Sequence, residues 1–418
     1  MRVMIIAHGH PDFSKGGAEI AAYNLFKSLR KQPDVNVLFV ARHDVAGAHH
    51  GGTPFSMRRE GEVLFYAEGF DVFKFSQPNK RLLWQNFREL IEGFQPDVIH
   101  FHHYLFIGLE LMRIIKNVNP NIKIVLTLHE YLAICYQQGQ MFKVHAQKLC
   151  YQSSPAECHQ CFPEQSPQNF FLRELLVKSF FQLVDQFIVP SQFLKDRYDQ
   201  WGIASEKMLF LDNGQEISGP LPLRQLIDEE DCRGRFAYFG QITQFKGLDI
   251  LLEAIKGLPV ALRRKVHLDI HGSGLERQPQ LFREKVQQFI FDLEKTVTFH
   301  GPYEPQELSL LMRDVDWVVV PSIWWENSPL VIQEAFKYGR PVICSDIGGM
   351  AEKVRHEIDG LHFRVAKPSS LRSKLVQAIS NPELYDTLVA NIKAPMSIEE
   401  NADRHLSLYH SLVSEPVS

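Results

Sequence analysis

The chain is poor in cysteine, in net charge and in long apolar runs, and each shortage removes a class of protein. Six cysteines in 418 residues are too few to staple a chain of this length, so a disulfide scaffold is excluded. Lys and Arg number 45 against 49 Asp and Glu, a formal charge of −4, which argues against a nucleic-acid binder. No run approaches the ~18 apolar residues of a membrane-spanning helix. The apolar start, residues 3–8, meets polar residues at once and has no small-residue cleavage site, so it reads as a buried strand and the expected location is the cytoplasm. Repeats of 20–50 residues and low-complexity tracts are absent from the sequence.

What is present suits large cores. Hydrophobic residues make up 45% of the chain, with 30 Phe, and at about 150 residues per domain the length suggests two or three domains. Short apolar segments alternate with helical patterns. In the first half strands are expected at 3–8, 35–40, 98–101, 122–128 and 186–189, with helices at 18–30, 80–94 and 106–115. The second half restarts the pattern, with strands at 236–239, 266–271, 297–300, 317–320 and 341–344 and helices at 248–258 and 278–293. Such alternation implies parallel sheets covered on both faces. The expected division is 1–215, a linker at 216–234 with Pro220, Pro222 and the acidic run from Asp228 to Asp231, and 235–397, with a last helix at 398–415 crossing back onto the first domain. The predicted class is α/β: two doubly wound, Rossmann-like domains facing each other across a cleft, with ligands at the carboxyl ends of the strands.

The motifs fall at those ends. After strand 317–320 comes Pro321-Ser322-Ile323-Trp324-Trp325-Glu326-Asn327-Ser328-Pro329-Leu330. Ser328 is a good N-cap and Pro329 suits a first helical position, so a helix is expected from Ser328 with its backbone N–H groups open to an anion. Glu326 and Glu334 flank that start. They read either as solvated acids or as acceptors for ligand hydroxyls. Strand 236–239 runs into Gly240-Gln241 and on to Lys246-Gly247, a loop that allows close backbone approach and offers a point charge for phosphate. It is neither a Walker A loop nor a Gly-x-Gly-x-x-Gly turn. Lys15-Gly16-Gly17-Ala18-Glu19 opens the first helix, and Thr127-Leu128-His129-Glu130 ends an apolar strand.

Together these residues resemble the retaining glycosyltransferases of family 4, which have the GT-B architecture. Glu326-x7-Glu334, Gly240 to Gly247, Gly16-Gly17 and His129 occur in the family's order. So do Val189-Pro190-Ser191, Asp212-Asn213-Gly214 and Gly272-Ser273-Gly274, and the resemblance spans about residues 1 to 415. It implies a nucleotide-sugar donor, UDP- or GDP-linked, and no catalytic metal. Glu334 would take the ribose hydroxyls and Glu326 those of the transferred sugar. The backbone at Asn327, Ser328, Pro329 and Leu330 would meet sugar and diphosphate, and Lys246 would neutralise the leaving group. Gly16 and Gly17 would admit the diphosphate, and His129 would meet the donor sugar at the reacting region. Gly272, Gly274 and His300-Gly301 would line the base pocket. Gln241 departs from the family, which often has Arg there. The implied acceptor is a hydroxyl of a polysaccharide or lipid-linked glycan, the latter at the inner face of a membrane. Phe170-Phe171 and Phe180-Phe181 read as core, with lipid contact as the alternative. Two rival functions are a non-catalytic nucleotide- or glycan-binding partner and a sugar-nucleotide 2-epimerase.

Cys135, Cys150, Cys158 and Cys161 cluster as Cys-x14-Cys-x7-Cys-x2-Cys. They read as structural zinc ligands, as reduced thiols or as disulfides, with His145 and His159 as spare ligands. Cys232 and Cys344 read as bystanders. Trp324-Trp325 are expected to shape the site, and His49-His50 to lie in a loop.

Overall fold

The computed structural model describes residues 1–14, 16–43, 53–78, 80–228 and 231–414. His49 and His50 lie outside the described residues, as do Lys15 and the middle of the acidic run. The chain divides into two compact units, Met1–Gly214 with Met396–Ser418, and Gln215–Pro395. Among the described residues no helix is long and apolar enough to cross a membrane.

Unit 1 is built on strands β1 (Arg2–Ala7), β2 (Asn36–Arg42), β3 (Phe55–Arg59), β4 (Glu62–Phe65), β5 (Val98–Phe101), β6 (Lys123–Thr127), the small hairpin β7 (Phe142–Lys143) and β8 (Lys148–Leu149), β9 (Gln186–Val189) and β10 (Met208–Phe210). The main sheet runs β10-β9-β6-β5-β1-β2-β4-β3. All its pairings are parallel except β3 with β4, so the sheet is mixed where an all-parallel one was expected. The order reverses between β1 and β5, a switch point of the kind where α/β sheets hold ligands. Apolar residues of β1 and β5 are wholly buried, which is why these strands read as continuous apolar runs. The closing helix, Ile398–Ser414, packs Ala402, Tyr409 and Leu412 into the core formed by β1, β2 and the helix Gly17–Leu29.

Unit 2 holds β11 (Arg235–Phe239), β12 (His267–His271), β13 (Val297–Gly301), β14 (Trp317–Val320), β15 (Val342–Ser345) and β16 (Gly360–Phe363) in the order β13-β12-β11-β14-β15-β16, all parallel. Counting from β11 this is the 3-2-1-4-5-6 order of a dinucleotide-binding sheet, with its switch point between β11 and β14. The segment 216–234, read as a linker, is held on this unit. Arg340 is fully buried and donates to the carbonyls of Leu221 and Pro222, while Arg224 pairs with Asp316 and Asp231.

The helix after β5 starts later than its pattern suggests. The helix expected at 106–115 runs Glu110–Val118, because Phe106 (φ 61°) and Gly108 (φ 103°) hold left-handed backbone just before it.

Candidate active site

The loops leaving β11 and β14 are fastened together by glycines. A Cβ on Gly247 would lie 2.0 Å from the Pro321 carbonyl oxygen, and Gly247 has φ 69°. The Ile323 N–H donates to the Phe245 carbonyl at 2.8 Å. Likewise a Cβ on Gly272 would lie 2.0 Å from the Gly240 oxygen, so the loops after β11 and β12 touch backbone to backbone. Only residues without a side chain permit these contacts.

This packing brings Lys246 to Glu326. Lys246 Nζ lies 2.6 Å from Glu326 Oε1, the Ser322 hydroxyl donates to the same oxygen at 2.7 Å, and the Trp324 indole N–H does so at 3.0 Å. Glu326 is buried and Lys246 is partly exposed. Three donors on one oxygen fix the carboxylate's orientation, and Oε2 takes none of the three. Gly349 closes the loop from behind. Its N–H donates to the Glu326 carbonyl at 2.8 Å, and a Cβ there would fall 1.5 Å from the Asn327 oxygen.

The following helix runs Leu330–Lys337 with Pro329, not Ser328, in the N-cap position, and no side chain caps it. Pro329 is extended (φ −65°, ψ 115°) and takes the cap position expected for Ser328, so the cap lies one residue later than expected. Ser328 instead accepts from Gln333 Nε2 at 3.3 Å. The first N–H groups of this helix have no capping side chain. Glu334, within it, is pushed up to about 7 by desolvation, with Lys337 opposing. At the ends of β11, β12 and β13 three rings stack: Phe239 on His271 (5.0 Å, 10°) and His271 on His300 (4.5 Å, 9°). Gly272, Gly274 (φ 100°) and Gly301 (φ 83°) lie in the turns beside them. The Gln241 side chain is exposed, and its carbonyl accepts from the Tyr238 hydroxyl at 2.7 Å.

Unit 1 gathers a separate set at the ends of β1, β5 and β6. Gly16 precedes the helix Gly17–Leu29, and a Cβ there would lie 2.3 Å from Glu19 Oε2. That buried carboxylate accepts from Ser14 at 2.8 Å and faces His8 at 3.4 Å. His129 Nε2 lies 3.1 Å from His102 Nδ1. Burial holds His129 down to about 3, so it is neutral throughout the physiological range. His100 meets the Tyr409 hydroxyl at 2.6 Å and that of Thr127 at 2.7 Å. Burial pushes Glu130 up to about 8. Asp212-Asn213-Gly214 packs on the closing helix, where Asn401 donates to the Asp212 carbonyl at 2.6 Å. Ser191 of Val189-Pro190-Ser191 caps its helix, accepting from Leu194 N–H at 3.1 Å.

Ser322, Glu19, His102 and Gly349 form part of these sets without having been singled out as site residues, while Trp324, expected to shape the site, donates to Glu326. A hydroxyl four residues before Glu326 and a His-rich strand end, His100 to His103, were the available signals. Phe171, read as core, is 54% exposed, while Phe170, Phe180 and Phe181 are buried as expected. A continuous helix has only one face toward the core, and Leu172 and Leu175 share the exposed side.

All six cysteines are thiols. Cys135, Cys150, Cys158 and Cys161 line one cavity of about 30 Å³. Neither spare histidine lines it, and His159 Nδ1 is 2.8 Å from the Gln165 carbonyl. Among the described residues no three His, Cys, Asp or Glu side chains already stand close enough to hold an ion. Cys344 is buried in unit 2 and Cys232 is half-buried there.

Two Rossmann-like units, with a fixed Lys–Glu pair at the switch point of the second, define the GT-B class of glycosyltransferase. Residues 227–394 match the family model for glycosyl transferases group 1, and residues 15–217 match that for glycosyltransferase family 4. The chain belongs to this glycosyltransferase family. It is similar to the lipopolysaccharide 1,2-N-acetylglucosaminetransferase of Salmonella typhimurium, 25% identical over 293 residues (68% of this chain, 63% of that protein). It is also similar to an uncharacterised glycosyltransferase of Methanocaldococcus jannaschii, 27% identical over 172 residues (41% and 42%). The matches to these curated relatives span less than two thirds of their length. Among solved structures, Thermosynechococcus elongatus sucrose-phosphate synthase superposes with TM-score 0.72 at 18% identity, covering 99% of each chain. Anabaena HepE, solved with UDP and glucose, superposes with TM-score 0.66 at 19% identity, covering 98% of this chain and 100% of that one.

Proposed function

We propose that the protein moves a sugar from a nucleotide diphosphate sugar to a hydroxyl of a polysaccharide or lipid-linked glycan, with retention at the anomeric carbon. The observation that carries this reading is the convergence of Lys246, Ser322 and Trp324 on one oxygen of Glu326 at the β11–β14 switch point. Breaking the anomeric C–O bond builds negative charge on the departing diphosphate. A preorganised cation and uncapped helix N–H groups lower the cost of that charge. Lys246 and the start of Leu330–Lys337 supply both in unit 2. Glu326 would hold hydroxyls of the transferred sugar and Glu334 those of the ribose, with the rings of Phe239, His271 and His300 near the base.

His129 contributes from unit 1 as a neutral imidazole, which can hydrogen-bond a sugar hydroxyl but is too weak a base to take the acceptor's proton. The departing diphosphate is the base this reading assigns, on the face it leaves, and that yields retention without a carboxylate nucleophile. HepE has been solved with UDP-glucose, which supports a UDP-sugar as the first donor to try. The reading calls for no catalytic metal. Product formation and donor hydrolysis are measured over a panel of UDP- and GDP-sugars, with and without EDTA, and the product anomer is read by NMR. Lys246→Ala and Glu326→Ala should each lower turnover by about 10²-fold or more. Unchanged turnover in both sinks the site assignment, and an inverted product sinks retention.

A further inference from the structure

Within segment 128–166, between β6 and the helix Pro167–Phe181, residues 128–142 bury side chains such as Tyr131, Ala133 and Met141, whereas none of residues 143–166 is buried. The segment's regular structure is the two-residue strands β7 and β8 and the seven-residue helix Pro155–Cys161, in which no residue is fully buried. Segments this long and irregular are uncommon inside a compact unit. Four thiols from three places in this segment reach one small cavity: Cys135 before the hairpin, Cys150 after it, and Cys158 with Cys161 one turn apart on the helix. The rest of that cavity is largely apolar, with Ile134, Met141, Phe142, Phe162 and Phe170 among its walls.

Backbone N–H groups of Gln137 and Met141 lie at the Cys135 sulfur, but burial dominates and pushes the thiol up to about 12, so an incoming metal must displace the proton. Arg173 is buried beside this sulfur, and its charge is felt at both Cys135 and Cys158. Its guanidinium donates to the carbonyls of Phe73, Ala133 and Leu132, neutral acceptors that leave its charge to be balanced through space.

We propose that Cys135, Cys150, Cys158 and Cys161 bind a structural zinc ion in tetrahedral geometry, fastening segment 128–166 to the body of unit 1. Four thiolates in a closed shell are the preferred set for this soft divalent cation, and Cys-x2-Cys is a ligand spacing. Binding would form four Zn–S bonds of ~2.3 Å. The sulfurs do not already stand at a common ligand distance, so binding requires the thiols to rotate inward. Each thiol gives up its proton to solvent, and Cys150 exchanges its hydrogen bond to the Gln152 carbonyl, 3.3 Å long, for the metal. The resulting centre carries two negative charges, which the buried Arg173 nearby partly offsets, while Lys143 at the cavity wall is paired with Glu157 at 2.9 Å. The ion has no part in transfer.

The full chain, purified without chelator from zinc-replete medium, is measured for metal by plasma mass spectrometry, and the apoprotein is titrated with Co²⁺. One zinc per chain is expected, with intense thiolate-to-cobalt charge transfer and tetrahedral d–d bands. Cys158→Ser with Cys161→Ser should abolish both signals, while Cys232→Ser keeps them. Absence of zinc together with absence of thiolate–cobalt bands in the wild-type chain overturns the proposal, whatever the variants do. So does a Cys158–Cys161 disulfide found by mass spectrometry in the freshly purified protein, or cobalt bands that survive the double variant. None of these readouts depends on glycosyl transfer, so the zinc assignment and the proposed activity fail separately.

Discussion

Glu334 offers a sharp test of the electrostatics of unit 2. Its carboxyl is raised from 4.5 to about 7 by desolvation. Below pH 4.5 the folded and unfolded chains both carry it protonated, and it contributes nothing to the pH dependence. Between 4.5 and 7 the unfolded chain ionises first, so unfolding is increasingly favoured. Above 7 the folded group ionises too, and the penalty stays at its full size. The displacement of about 2.5 pH units corresponds to roughly 3 kcal/mol lost from unit 2 between acid and neutral pH. Glu334→Gln keeps the shape and has no proton to lose. It should match the wild type at pH 4.5 and melt higher at pH 8, by roughly 6–12 °C for a unit of this size. Calorimetry of both proteins across that range reads the difference directly. The same substitution should weaken UDP binding at pH 8, because an amide replaces a carboxylate as acceptor for the ribose hydroxyls. A melting difference that is independent of pH would refute the desolvation reasoning. Tighter UDP binding by the variant would remove Glu334 from the ribose role.

Gly349→Ala places a Cβ 1.5 Å from the Asn327 carbonyl, so loop 326–330 must move; UDP affinity should fall at least tenfold by calorimetry while far-ultraviolet circular dichroism stays native. Arg173→Met removes three hydrogen bonds to backbone and leaves their carbonyls buried; denaturant unfolding should show a loss of about 3–5 kcal/mol in unit 1. His129 is neutral above about pH 4 because burial holds it down to about 3; the transfer rate should show no titration from this residue between pH 5 and 9, and His129→Gln should leave the profile's shape unchanged while lowering its height.

The sheets were legible because central parallel strands are apolar on both faces. Strands 98–101, 186–189 and 317–320 coincide with β5, β9 and β14, where burial is continuous apart from Gln186 and the residues are apolar apart from Gln186 and His100. Strand β3 was not legible, since Ser56, Arg58 and Arg59 lie exposed or half-exposed on an edge strand and break the apolar pattern, and the buried β4 is only four residues long and opens on Glu62. Glu326 and Lys246 could be picked out from their loops, yet their contact could not, because it depends on the glycine packing between segments 80 residues apart. His129 was read from its strand end, but His100 was hidden for another reason. His100 sits inside an apolar strand, and its partner Tyr409 comes from the last helix, 309 residues further on.

The return of that last helix has a consequence for the order of events during synthesis. Unit 1 begins the chain, but Ala402, Tyr409 and Leu412 complete its core, and His100 lacks the Tyr409 hydroxyl until they arrive. The first unit to leave the ribosome is therefore the last to be finished. Residues 215–395 contain every strand of unit 2 and can close on themselves while unit 1 still has an open face over β1 and β2. A ribosome stalled after residue 395 would display a finished second unit tethered to an unfinished first one.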